Sequence, residues 1–355
     1  PKTAAMGYAM LYALMNLGGW LPSFFTFVRE RVGITGAFWV YTGITAVALL
    51  ATWLLLTPRV ERAAIERAER DRREIEAEQE EGKPQQAKPA PIPAGDRRIP
   101  PHLWVTLVVI AAAAWFLLPE AAGQIVGGLL LATVVVLGIS RKLLGPAYRW
   151  LANHPLADPK FFFFIFALIP VQTLFTYNWL ILPQYLERAY EGGFVSARFE
   201  FFSNLNPILI FIFVPMVTAV TQKRNVYGMM IVGTFVMAAP AFLLSLGTNI
   251  WLLLTFLLVM TIGEAMWQPR FLQYAAEIAP EGRTGAYMGV AQFPWFLTKM
   301  LVPLYSGIKL QRYVPSTGPR NPEAMWLIFA AIAMVSPVLL LAARGWVGKD
   351  FKTKA

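Results

Sequence analysis

The sequence predicts an all-α, polytopic membrane protein, and three observations carry that prediction. Ten apolar segments of roughly 16 to 25 residues match the ~20 residues a helix needs to cross a ~30 Å hydrocarbon core. With 57% hydrophobic and only 15% charged residues in a chain of 355, too little polar surface remains to cover a soluble globule. The segments also lack the alternating ~10-residue pattern of a membrane barrel.

In chain order the predicted spans are 5–28, 36–56, 103–118, 121–139, 161–183, 201–221, 226–246, 249–274, 285–307 and 324–343. The second and third are separated by the one long polar stretch. From Arg59 to Glu81 it is almost wholly charged, and Glu66 with Arg70 and Glu69 with Arg73 form i,i+4 pairs that favour solvated helix. From Gly82 to Pro101 it becomes a Pro-, Gln- and Lys-rich linker. The third and fourth spans read as a hairpin around Pro119-Glu120 with no ionisable residue in its apolar cores; Gly123 and Gly127 form a small-xxx-small face suited to docking a helix. The chain opens at Pro1-Lys2-Thr3, without an initiator Met or a signal-peptide pattern, and is expected to be part of something longer.

Composition excludes several function classes. There are no cysteines, and the two histidines, His102 and His154, lie outside the apolar runs, so neither a metal site nor a cofactor is expected. The net charge of +10 comes from loops beside the spans, where positive-inside topology accounts for it without nucleic acid. If spans alternate sides and the long linker is left out, twelve Lys and Arg fall on the face of the 141–160 loop and seven on the opposite face, which makes the first face cytoplasmic. A membrane-embedded enzyme needs a nucleophile with its base, or a metal cluster, at membrane depth, and no His, Cys or Asp lies in a span core.

The candidate site centres on Glu264, in Ile262-Gly263-Glu264-Ala265-Met266-Trp267-Gln268-Pro269. An acid within a span costs several kcal/mol unless it faces a partner, a water-filled cavity or a passing solute. Lys299 and Arg270 are its candidate ion-pair or coupling partners. Lys299 is expected about 12 Å and Glu264 about 22 Å from the outer ends of their spans, so that pair requires the helices to tilt or slide. A structural Glu264–Arg270 pair and a lysine that simply snorkels are the competing readings. Gln172 on the fifth span is open to solute contact or a helix–helix hydrogen bond.

Three stretches together resemble the proton-dependent oligopeptide transporters of the major facilitator superfamily. Tyr8 to Trp20, with Tyr12, Asn16 and Gly18-Gly19, is similar to that branch's fifth-helix signature, departing at Met15 and Trp20. Asn204 to Ile210, with Asn206-Pro207, looks like its eighth-helix motif. Glu264, Pro269, Ala279-Pro280 and Met288-Gly289 resemble its tenth- and eleventh-helix pattern. The resemblance implies a major-facilitator-like fold with residues 1–57 as the last two helices of the N-terminal half, 58–102 as a cytoplasmic linker, 103–140 as an inserted hairpin and 141–355 as the six-helix C-terminal half. Helices one to four are then missing. It further implies a multi-pass protein of the cell membrane, a bacterial inner membrane, whose partners are the lipid bilayer, a small solute and protons. Asn206 and Glu264 would jointly accept a substrate amino group, with Tyr8, Tyr12 and Asn16 lining the cavity. Ala291-Gln292, where the branch has Trp-Phe, and Arg270-Phe271, where it has small residues, put a peptide substrate in doubt. A drug, sugar or metabolite transporter and a non-transporting membrane scaffold remain the alternatives.

Overall fold

The computed structural model describes the chain except residues 1, 21–25, 61, 64–65, 68–69, 71–97, 118–119, 140–144, 222–223, 281 and 349–355. The Glu69–Arg73 pair and most of the Pro-rich linker therefore lie outside the described residues. Among the described residues, all ten predicted spans are largely helical. The principal helices are α1 (Lys2–Trp20), α2 (Thr26–Leu55), α3 (Pro101–Leu117), α4 (Glu120–Ile139), α5 (Pro159–Ala167), α6 (Ile169–Leu180), α7 (Leu205–Thr221), α8 (Val226–Ala238), α9 (Ile250–Glu277), α10 (Thr284–Ala291), α11 (Phe293–Tyr313) and α12 (Pro322–Ala342). Among the described residues there is no strand. Among the described residues, seven helical stretches are long and apolar enough to cross a membrane, and Pro101–Phe116 is apolar but shorter. This is a polytopic, multi-pass helical architecture.

The chain divides into two compact units, one of Pro1–Ser23 with Gly95–Ala355 and one of Phe24–Ala94. In the smaller unit, α2 is interrupted at Gly33, whose φ of 70° lies where a glycine is favoured, and its apolar side chains, Trp39 and Trp53 among them, are exposed. A helix whose apolar residues point outward all round suits a hydrocarbon environment.

In the larger unit the span boundaries follow capping and proline chemistry. Asp158 caps α5 by accepting the Lys160 amide at 2.8 Å, Asn249 caps α9 through the Trp251 amide at 2.8 Å, and Asn321 caps α12 through the Ala324 amide at 3.0 Å. Several predicted spans prove to be broken helices. Pro170, Pro183, Pro240 and Pro294 each stand in the first two residues after a break, at Leu168, Ile181, the α8-to-3₁₀ junction and Gln292. Proline cannot donate to the carbonyl four residues back and its ring crowds that carbonyl, so the helix gives way within the preceding turn. Just after the first break, the Val171 amide donates to the Ser336 hydroxyl of α12 at 2.8 Å.

Gly263 and Gly127 are among the glycines that permit unusually close helix contacts. A Cβ on Gly263 would stand 2.2 Å from the Met237 amide nitrogen, so α8 and α9 meet backbone to backbone. A Cβ on Gly127 would stand 2.8 Å from the Trp115 amide nitrogen and 2.9 Å from the Ala111 carbonyl, which closes the α3–α4 hairpin on itself. The main core is aromatic: Tyr177 stacks on Phe329 with centroids 4.0 Å apart, and Trp326 packs against Tyr185 and Phe256.

Candidate functional site

Gly263 and Glu264 divide the faces of α9 between them. Consecutive residues on a helix point ~100° apart. Gly263 is pressed on α8, so Glu264 turns toward α1 and α7, where it is 1% exposed. Ala9 and Ala13, both fully buried, flank Tyr12 on α1 and join Ile210, Val214 and Ala265 in a small apolar cluster. Their short side chains let α1 approach closely enough for Tyr12 to reach the acid.

Both carboxylate oxygens are engaged. The Tyr12 hydroxyl donates to Glu264 Oε1 at 2.6 Å, and Asn206 Nδ2 donates to Oε2 at 2.8 Å. Asn206 Nδ2 also donates to Thr261 Oγ1 at 3.0 Å, and Thr261 Oγ1 donates to the Leu257 carbonyl at 2.6 Å. Asn16 Nδ2 donates to the Tyr12 carbonyl at 2.9 Å, holding its own amide one turn along α1. The result is one buried acid with two neutral donors, arriving from helices far apart in sequence. Each oxygen keeps further acceptor capacity.

The predicted residues are thus divided by the structure. Tyr12 and Asn206 meet Glu264 directly, Asn16 sits one turn behind Tyr12, and half-buried Tyr8 one turn before it. Gln172 lies on α6, 1% exposed, with no hydrogen bond to the acid. Lys299 on α11 is exposed and lays its ammonium over the Trp295 ring, 3.3 Å from the centroid. Buried Arg270 directs Nη1 at Gln273 Oε1, 3.1 Å away. Among the described residues, neither cation forms an ion pair with Glu264. The expected joint acceptor takes a different form here, because the Asn206 amide donates to the carboxylate. Thr261 was missed by sequence reasoning; its position three residues before Glu264, on the same helix face, was the available signal.

The sequence profile of the Major Facilitator Superfamily matches residues 1–303. The chain belongs to the major facilitator superfamily. This is a family of membrane transporters rather than of enzymes. The chain is also similar to the uncharacterized MFS-type transporter YttB of Bacillus subtilis (strain 168), at 24% identity over 153 residues, which is 41% of this chain and 38% of that relative. The similarity thus spans less than two-fifths of the relative's length. No solved structure matches the chain.

Proposed function

We propose that the protein is a secondary active transporter that carries a small polar organic solute across a membrane in exchange for, or together with, protons, and that Glu264 is the group whose occupancy couples the two. The buried carboxylate is the observation that supports this reading most. It is held by two neutral donors, without an ion pair among the described residues. Its charge is therefore uncompensated, and a proton or a cationic group of a solute can neutralise it. A purely structural acid has no need of that freedom.

Transporters of this architecture bind solute near the bilayer midplane and alternate access by rocking one half on the other. Glu264, Asn206 and Tyr12 would form the wall of such a site, with Tyr8 and Asn16 a turn to either side of Tyr12 on α1 and Gln172, on α6, a separate candidate solute contact. Lys299 and Arg270 stay coupling candidates in this reading; Arg270 shares α9 with the acid and Lys299 sits on α11 of the same half. Di- and tripeptides are the first solutes to test, from the Asn206-Pro207 and Glu264-to-Pro269 patterns. Ala291 and Gln292 favour a second reading, a drug, sugar or other metabolite, since they remove bulk that the peptide-transporting pattern carries. The cell membrane is the proposed location, with the 141–160 loop cytoplasmic.

The test is uptake by the full-length protein in proteoliposomes under an imposed pH gradient, against labelled di- and tripeptides, sugars and cationic drugs. Glu264→Gln keeps the shape and removes the charge, so it should abolish concentrative uptake while the protein inserts and folds. A Gln variant with wild-type rate and pH dependence refutes the assignment.

A further inference from the structure

Thr261, fully buried on α9, is the one polar group of the Glu264 cluster without a part in the reading above. Its hydroxyl hydrogen is committed to the Leu257 carbonyl at 2.6 Å. A hydroxyl has a single hydrogen, so toward Asn206 it can only accept. Asn206 Nδ2 has two, one directed at Thr261 Oγ1, 3.0 Å away, and one at Glu264 Oε2, 2.8 Å away. Were the amide turned over, its carbonyl oxygen would face two acceptors at once. Without the threonine oxygen, only Glu264 itself would oppose that rotation, and a protonated Glu264 would favour it by donating to the carbonyl.

We propose that Thr261 is a positioning residue: it locks the Asn206 amide so that N–H rather than C=O faces Glu264, and thereby fixes the pH at which that carboxyl exchanges its proton. The role in transport rests on the reading given above, whereas the lock itself is testable without any solute. The lock also assigns the Asn206 carbonyl to the side away from the acid, where it remains an acceptor for a solute N–H.

The experiment is pH-difference infrared spectroscopy of the full-length protein in liposomes. The carbonyl band of protonated Glu264 is the one missing from Glu264→Gln. A hydrogen bond to a charged acceptor is worth enough to displace a titration midpoint by about one pH unit. Thr261→Val, which exchanges the hydroxyl for a methyl of similar size, should displace the band's midpoint by about that much, and Thr261→Ala should match it. Thr261→Ser should restore the wild-type midpoint. In an Asn206→Ala background Thr261→Val should add nothing further, because the two act through one amide. An unmoved midpoint in Thr261→Val and Thr261→Ala overturns the proposal, as does a displacement that persists without Asn206. If the band behaves as expected while Glu264→Gln leaves uptake intact, the lock stands and the transport role of Glu264 fails.

Discussion

Replacing Gly263 by alanine should destabilise the protein although alanine is the better helix former. The new Cβ would stand 2.2 Å from the Met237 amide nitrogen, 2.6 Å from its Cα and 2.7 Å from the Val236 carbonyl carbon. Ordinary contact between such atoms begins near ~3.5 Å, so α8 and α9 must part by at least about 1.3 Å. The obstacle is backbone, which cannot swing aside as a side chain can. Overpacking of this kind costs about 1–3 kcal/mol, against a helix-propensity gain of about 1 kcal/mol at most. Parting the helices also stretches the contact of Trp267 Nε1 with Met237 Sδ, now 3.2 Å. Gly307 on α11 is the control, since a Cβ there meets nothing within 4 Å. Thermal unfolding in detergent, followed by tryptophan fluorescence, should show Gly263→Ala melting several degrees below wild type and Gly307→Ala at or above it. Equal melting temperatures for wild type and Gly263→Ala would refute the backbone contact and, with it, the explanation of how Glu264 is aimed.

Two further outcomes test the 141–160 loop and the topology. His154 sits between the membrane spans, its Nδ1 accepting the Leu156 amide at 3.2 Å; burial first, and then the charge of Arg283, hold its pKa below the ordinary imidazole value of 6.5. The folded chain thus resists a proton that the unfolded chain takes up near pH 6.5, so the stabilisation is complete above that pH and is lost as pH falls toward the lowered folded value. Melting temperature should drop between about pH 7.5 and 5.5, with a shallower slope in His154→Gln; identical slopes would remove His154 from the account. Because the chain has no cysteine, single cysteines report topology cleanly. A cysteine at Thr317 should react with an impermeant thiol reagent in intact cells and one at Gln85, outside the described residues, should not; the reverse pattern inverts the orientation.

Hydropathy alone made the helices legible, because in hydrocarbon every backbone amide must be satisfied within its own segment. Breaks at Leu168, Ile181 and Gln292 were less legible, although Pro170, Pro183 and Pro294 announced them, since a membrane helix can also absorb a proline as a kink, as α9 absorbs Pro269 and α12 Pro337. Within the candidate site, Glu264 stood out because an acid at membrane depth is rare. That Tyr12 and Asn206 belong to one site with Glu264 came from resemblance; that both donate directly to the acid was not legible, since separations of 252 and 58 residues follow from no local rule. Lys299 shows the converse. Its charge in a span suggested an ion pair, but a lysine stem long enough to reach an indole ring has a partner on its own helix one turn away, and sequence spacing cannot rank the two.

The 252 residues between Tyr12 and Glu264 also set an order of manufacture. At roughly 5–20 residues per second, Tyr12 waits about 13–50 s in or near the bilayer before Glu264 is synthesised. Asn206 precedes the acid by a much shorter interval. Both donors are therefore made ahead of the group that needs them, and the one side chain most costly to leave alone in lipid emerges last, to neighbours that already carry its hydrogen bonds.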